Sequence, residues 1–133
     1  DSVRRWDASK GEPGVSAASS NVFRVIRLTG PIGAGAALLS RACAYVGTDS
    51  GLAHLAAAVG TPAVTLFAPA DPDRVCPFGY RHLVVQAERA CAPCMKYPFA
   101  ACRPGTQCRP PMCIESITVD RVIASVRRAL ESR

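Results

Sequence analysis

Asp49, Ser50, Gly51 and His54 fall within TDSGLAHLAAAVGTP, residues 48–62, and their types and spacing admit three kinds of chemistry. A serine, an aspartate and a histidine invite a hydrolytic triad. The order argues against it: Ser50 and His54 lie on one helical turn, no Gly-x-Ser-x-Gly elbow is present, and no third group orients a base. An anion cradle fits better. A helix starting here would present unpaired N–H groups and the positive end of its dipole, and Gly51 would let a phosphate approach the backbone with no side chain in the way. Ser50 could donate its hydroxyl to a phosphate oxygen. Asp49, itself an anion, suits a helix cap or a bond accepted from a ribose or sugar hydroxyl. His54, one turn on, could donate to a diphosphate oxygen and, when protonated, offset charge on a leaving group. The third reading is structural, a capped Ala-rich helix with a histidine on its first turn.

The second group with chemical potential is a run of cysteines. Five of the seven lie in CAPCMKYPFAACRPGTQCRPPMC, at Cys91, Cys94, Cys102, Cys108 and Cys113, while Cys43 and Cys76 occupy ordinary positions. Two residues separate the first pair, which is metal-knuckle spacing. In a reducing compartment, four thiolates around zinc or iron would explain how so proline-rich a segment keeps a shape, and Cys91, Cys94, Cys102 and Cys108 are the favoured set. Free or opportunistically oxidised thiols are the alternative. The glycines of GPIGAG, residues 30–35, lack both the Gly-Lys-Ser/Thr ending of a P-loop and the full Gly-x-Gly-x-x-Gly order, and read as a turn.

These residues need elements to position them. Residues 1–20 are polar and small, without periodicity, and read as a linker or frayed terminus. VFRVIRL, residues 22–28, reads as a strand, and AALLSRAC, residues 36–43, as a short helix. AYVG, residues 44–47, is a second strand. In the stretch that follows, Thr48, Asp49 and Ser50 are competent caps, Leu52, Leu55, Ala56 and Val59 recur at helical spacing, and Gly60 and Pro62 supply the stop. AVTLF, residues 63–67, is a third strand. Such alternation with short connections predicts an α/β fold, a parallel sheet covered by helices, and in such sheets ligands sit beyond the carboxyl ends of the strands. TDSG is at such an end. Residues 68–82 read as a Pro-rich loop, LVVQ as a further strand, and residues 91–113 as a Cys/Pro-rich segment. Val119, Val122, Ile123, Val126, Ala129 and Leu130 form one apolar stripe on a final helix. Residues 21–133 thus form one domain.

Composition narrows the function. With 49% hydrophobic and 20% charged residues in 133, the chain suits a soluble globular domain. No apolar run approaches the roughly 20 residues of a membrane-spanning helix, and DSVRRWD is no secretory signal, so a cytoplasmic location is expected. The chain opens without methionine, and a fragment or processed product is expected. The net charge of +6 rests on sixteen Lys and Arg, fourteen of them Arg, spread along the sequence. Arginine forks suit phosphate, carboxylate or an anionic membrane surface. A nucleic-acid partner is not indicated, because the basic residues are unclustered and only eight aromatics are scattered among them.

YVGTDSGLAHLAAAVGTPAVTLFAPADP, residues 45–72, resembles the signature of the ADP-heptose lipopolysaccharide heptosyltransferases and their relatives, glycosyltransferase family 9. That signature is an Asp-(Ser/Thr)-Gly-x-x-His helix start, an alanine run, Gly-x-Pro, a strand, and a Phe-Gly-Pro-Thr-(Asp)-Pro loop. The likeness covers residues 22–131 with varying quality and includes the Cys-x-Pro-Cys segment. It implies the C-terminal half of a GT-B enzyme, a Rossmann-like parallel sheet with flanking helices whose partner is an N-terminal GT-B domain. It further implies that Asp49, Ser50, Gly51 and His54 contact ADP-heptose or a similar nucleotide sugar through its phosphates and adjacent sugar. Transfer in the family is inverting, needs no cofactor, and uses an acidic base of the N-terminal domain, so no catalytic residue is expected in this stretch. The acceptor would be a lipid-linked core sugar or a protein, reached at the inner face of the bacterial inner membrane, and oligomers are compatible with this. Some relatives bind iron through cysteines. Ala68 stands where the family usually has glycine, and Ala70 where it usually has threonine, which implies a less close approach to the nucleotide or a lost hydroxyl contact. Outside that likeness, a non-catalytic nucleotide- or metal-binding module, using the Cys-rich segment for assembly, is the rival reading.

Overall fold

The structure is a computed structural model that describes residues 29–94 and 113–131. The expected strand over 22–28 and the linker over 1–20 lie outside the described residues. Two compact units make up the chain, residues 1–35 and 36–133. Helix α1, Ile32–Leu39, begins in the first and ends in the second. It starts four residues earlier than the sequence predicts. Pro31 accounts for the shift: it cannot continue a strand but presets φ for a first helical turn, and its carbonyl accepts from the Ala34 N–H at 2.9 Å. Gly33 and Gly35 are carried inside the helix.

In the second unit, β1 (Tyr45–Thr48), β2 (Ala63–Phe67) and β3 (Val85–Gln86) form one parallel sheet in that order. Tyr45 pairs with Ala63 and Thr48 with Leu66, so β1 is offset by one residue from the expected AYVG. LVVQ yields only the two residues of β3, because Arg81–Leu83 close into a 3-10 turn before it. Helix α2, Gly51–Ala58, connects β1 to β2 and packs against both through Ala53 and Ala56, each fully buried.

Helix α2 stops where the sequence predicts. Gly60 takes φ +81, its N–H donates to the Ala57 carbonyl, and the Thr61 N–H donates to the Ala56 carbonyl at 2.9 Å. These two bonds and the left-handed glycine are a Schellman terminus, and buried Pro62 ensures that the chain leaves the helix for β2.

β2 is the centre of the unit. Val64, with Leu83, Val85 and Ala129, forms a buried cluster joined by Ala44, Leu66, Val122 and Val126. Ala63, Thr65 and Phe67, which alternate with them, are fully buried as well. A strand covered on both faces carries the near-continuous apolar run seen in AVTLF. Helix α4, Val119–Glu131, supplies the cover over Val64 and Val85.

The expected stripe on α4 is only partly the buried face. Val122, Ser125, Val126 and Ala129 turn inward, whereas Val119, Ile123 and Leu130 are 73%, 43% and 48% exposed. Ser125, a polar residue omitted from the stripe, lies on the buried face. Its hydroxyl donates to the Leu83 carbonyl at 2.7 Å and satisfies a backbone acceptor at the end of the 3-10 turn.

Residues 68–82 are less irregular than expected. Asp71 caps a short helix α3, Pro72–Val75, by accepting from the Asp73 N–H at 3.0 Å, with Pro72 at its first position.

Candidate functional site

All three strands run the same way, so the segments that follow them open on one edge of the sheet. Asp49, Ser50, Gly51 and the first turn of α2 follow β1. Ala68–Asp71 follow β2, and Ala87 and Glu88 follow β3. Ligands of open α/β sheets sit beyond this edge.

The structure brings the four predicted donor-site residues together at the α2 start. Ser50 holds the N-cap position with extended backbone, φ −159° and ψ 165°, and its carbonyl accepts from the Ala53 N–H at 3.0 Å. Its side chain makes no capping bond. Of the three competent caps Thr48, Asp49 and Ser50, it is Ser50 that holds the cap position, and without its side-chain bond the helix terminus is open. Asp49, Gly51 and His54 are exposed, and Ser50 is half-buried. Among the described residues, no side chain hydrogen-bonds to the Asp49 carboxylate or the His54 imidazole.

Gly51 is informative through its surroundings. Its backbone does not need glycine, and a Cβ built on it would have nothing within 4 Å. Neither conformation nor packing requires glycine there. What remains is the open space itself, in front of the first free N–H groups of a helix. This is the geometry in which a bound anion takes the place of a cap.

Two residues just before the Asp-Ser-Gly-x-x-His segment, given no role above, complete the local geometry. Tyr45 Oη lies 3.3 Å from Ser50 Oγ, and the Tyr45 ring runs over Gly47. A methyl on Gly47 would lie 2.6 Å from Cζ of Tyr45. The signal was a large polar-tipped residue two positions before a glycine on one strand, which places both on one face.

The loop after β2 was expected to differ because of Ala68 and Ala70. Ala68 is 8% exposed, so its methyl is taken into the interior, and Ala70 is half-buried. At the third strand end, Arg121 of α4 donates to the Gln86 carbonyl at 2.8 Å and pairs with Glu88 at 3.2 Å. Ser116 accepts from the Glu88 N–H and donates to the Cys113 carbonyl. These bonds fasten both flanks of the Cys-rich segment to the same strand end.

Of the expected metal ligands, Cys91 is exposed and Cys94 half-buried, while Cys102 and Cys108 lie outside the described residues. Among the described residues, no three His, Cys, Asp or Glu side chains converge on a point that could hold a metal. Nor is any described helix long and apolar enough to cross a membrane.

The family model of glycosyltransferase family 9 (heptosyltransferase) matches residues 27–101, more than half of the chain and all of the α2 site. The chain belongs to glycosyltransferase family 9. Within the family, it is similar to lipopolysaccharide heptosyltransferase 1 of Pseudomonas aeruginosa, with 39% identity over 61 residues. That region is 46% of this chain and 17% of the relative, so the match spans a small part of that family member. No solved structure matches the chain. The three-stranded parallel sheet with its flanking helices is consistent with a Rossmann-like part of a GT-B glycosyltransferase.

Proposed function

We propose that the chain is the donor-binding part of an inverting glycosyltransferase, with the diphosphate of a nucleotide sugar seated on the N-terminus of α2. The observation that carries this reading is the open helix start: an N-cap serine that does not cap, followed by a glycine whose Cβ position is empty. Family membership supports the substrate class, and the name of the Pseudomonas relative makes ADP-heptose the first donor to try.

In this reading the N–H groups of Gly51 and Leu52 and the Ser50 hydroxyl hold phosphate oxygens. Asp49 accepts from a hydroxyl of the ribose or transferred sugar, and His54 faces the diphosphate from one turn along. When the acceptor hydroxyl attacks the anomeric carbon, the bond to the diphosphate breaks and charge grows on its oxygens. Fixed N–H dipoles aimed at that position stabilise the developing charge more than they stabilise the intact donor. The base that removes the acceptor proton belongs to the N-terminal GT-B domain, so this chain binds donor without transferring the sugar. A saccharide acceptor on a lipid-linked core or a protein, at an anionic membrane face, suits the basic chain.

Isothermal titration with ADP and ADP-heptose tests the reading. Binding is expected to weaken on Asp49→Ala and on His54→Ala, with folding unchanged. A chain that binds neither ligand contradicts the proposal.

A further inference from the structure

Tyr45 begins β1, and its side chain follows the strand as far as the helix beyond it. Oη reaches 3.3 Å from Ser50 Oγ by passing over Gly47, where an added methyl would lie 2.6 Å from Cζ and 3.0 Å from Cε1. The path exists because residue 47 has no side chain. At its far end, Ser50 has the extended backbone from which a serine ordinarily bonds the second or third N–H of its helix, yet it makes no such bond. Its hydroxyl is engaged by Tyr45 instead.

A serine hydroxyl has one proton to give and two lone pairs to receive with. If Ser50 gives that proton to Tyr45, none remains for a ligand; if Tyr45 gives its own, the Ser50 proton is free to point outward. We propose that Tyr45 is a positioning residue for the donor diphosphate: its O–H donates to Ser50 Oγ and turns the Ser50 proton toward a phosphate oxygen. The arrangement also keeps the Ser50 oxygen off the N–H groups of α2, which stay available to the same anion. A hydroxyl that accepts one bond becomes a better donor in the next, so the pair acts as a short polarised relay ending on the ligand. Gly47 belongs to the device because it makes room for the ring. This role rests on the donor-binding reading above.

The test is titration of the full 133-residue chain with ADP, for the native sequence, Tyr45→Phe, Ser50→Ala, the double variant and Gly47→Ala. Melting of each without ligand accompanies it. Tyr45→Phe should weaken ADP binding about three- to ten-fold, the usual effect of one mispositioned hydrogen bond. Its ligand-free Tm should hold or rise, because the released Ser50 can return to its cap. Gly47→Ala should reproduce the affinity loss although it removes no polar group. On the Ser50→Ala background, Tyr45→Phe should add nothing further. Native affinity in Tyr45→Phe, or a loss that adds in full to that of Ser50→Ala, overturns the role. So does an affinity loss that only follows a lowered Tm. A native chain that binds no ADP overturns the donor reading and this role with it, whereas binding without Tyr45–Ser50 coupling overturns this role alone.

Discussion

Replacing Gly51 by alanine separates what the fold wants at the start of α2 from what a ligand wants. In a helix, glycine is less favourable than alanine by about 0.5–1 kcal/mol, because it loses more backbone freedom on folding. Gly51 is the first residue of α2, where the constraint is partial, so the gain on Gly51→Ala should lie at or below the lower end of that range. The new methyl meets no atom within 4 Å, and the backbone is not in the left-handed region, so no strain offsets the gain. For a domain of this size, the ligand-free Tm should therefore rise by about 1–3 °C.

Ligand affinity should move the other way. The methyl would occupy the space through which an anion approaches the Gly51 and Leu52 N–H groups. Displacing a phosphate oxygen from one such bond costs about 1.5–3 kcal/mol, the range for hydrogen bonds to charged groups, which is a loss of roughly ten- to 150-fold in affinity. Differential scanning fluorimetry with and without ADP reads both effects in one experiment: the variant melts higher alone and gains less from ADP. A lower ligand-free Tm would refute the account of the open Cβ position. A higher Tm with unchanged ADP affinity would refute the placement of the phosphate at this helix end.

Other perturbations test the scaffold and the cysteine segment. Ser125→Ala should destabilise the chain by about 1–3 kcal/mol, since it strands the Leu83 carbonyl in the interior, and a urea midpoint that does not fall would contradict the Ser125–Leu83 bond. Thr65 is fully buried on β2, and its hydroxyl has no partner among the described residues. Thr65→Val keeps the shape, removes the orphan, and should raise Tm; a fall would mean that the hydroxyl is satisfied. The knuckle reading of Cys91, Cys94, Cys102 and Cys108 predicts one zinc or iron per chain in protein purified without added metal, lost on Cys91→Ser. Metal-free native protein would remove it.

Where one residue property dominated, the elements were legible. AVTLF is β2 to the residue, because a run of apolar and β-branched residues suits a strand buried on both faces. The end of α2 was equally plain, since Gly60 takes a left-handed conformation that glycine adopts far more readily than other residues. Where two properties competed, the sequence misled. Gly33 and Gly35 argued for a turn, and Pro31 for a helix start; the helix prevailed, and α1 begins at Ile32. In DPDR the cap and first-turn proline of α3 were present but hidden within a Pro-rich stretch. On α4, counting only apolar residues overlooked Ser125, which lies on the buried face with Val122, Val126 and Ala129 and bonds the Leu83 carbonyl. The position of Asp49, Ser50, Gly51 and His54 at a strand end was readable, but the side-chain partnership of Ser50 was not. The spacing of Tyr45 and Gly47 puts the two on one face of the strand, but the reach from there to the Ser50 hydroxyl depends on how the chain turns into α2.

That partnership bears on why the helix start looks as it does. At most helix starts, local chemistry and fold agree: a serine caps, the first residues are good helix formers, and the N–H groups are satisfied within the chain. Helix α2 departs from this at two successive residues, an uncapping serine and a glycine required by neither backbone nor packing, while its other end closes in a Schellman terminus on Gly60. Weak intrinsic propensity would have spread such departures along the helix, whereas here they are confined to its start, beside the Tyr45 ring over Gly47. Each departure withholds a small stabilising contribution within the chain and leaves hydrogen-bond donors facing the sheet edge where ligands of this fold bind. In the donor-binding reading proposed above, those donors at the α2 terminus are the groups that a diphosphate would engage.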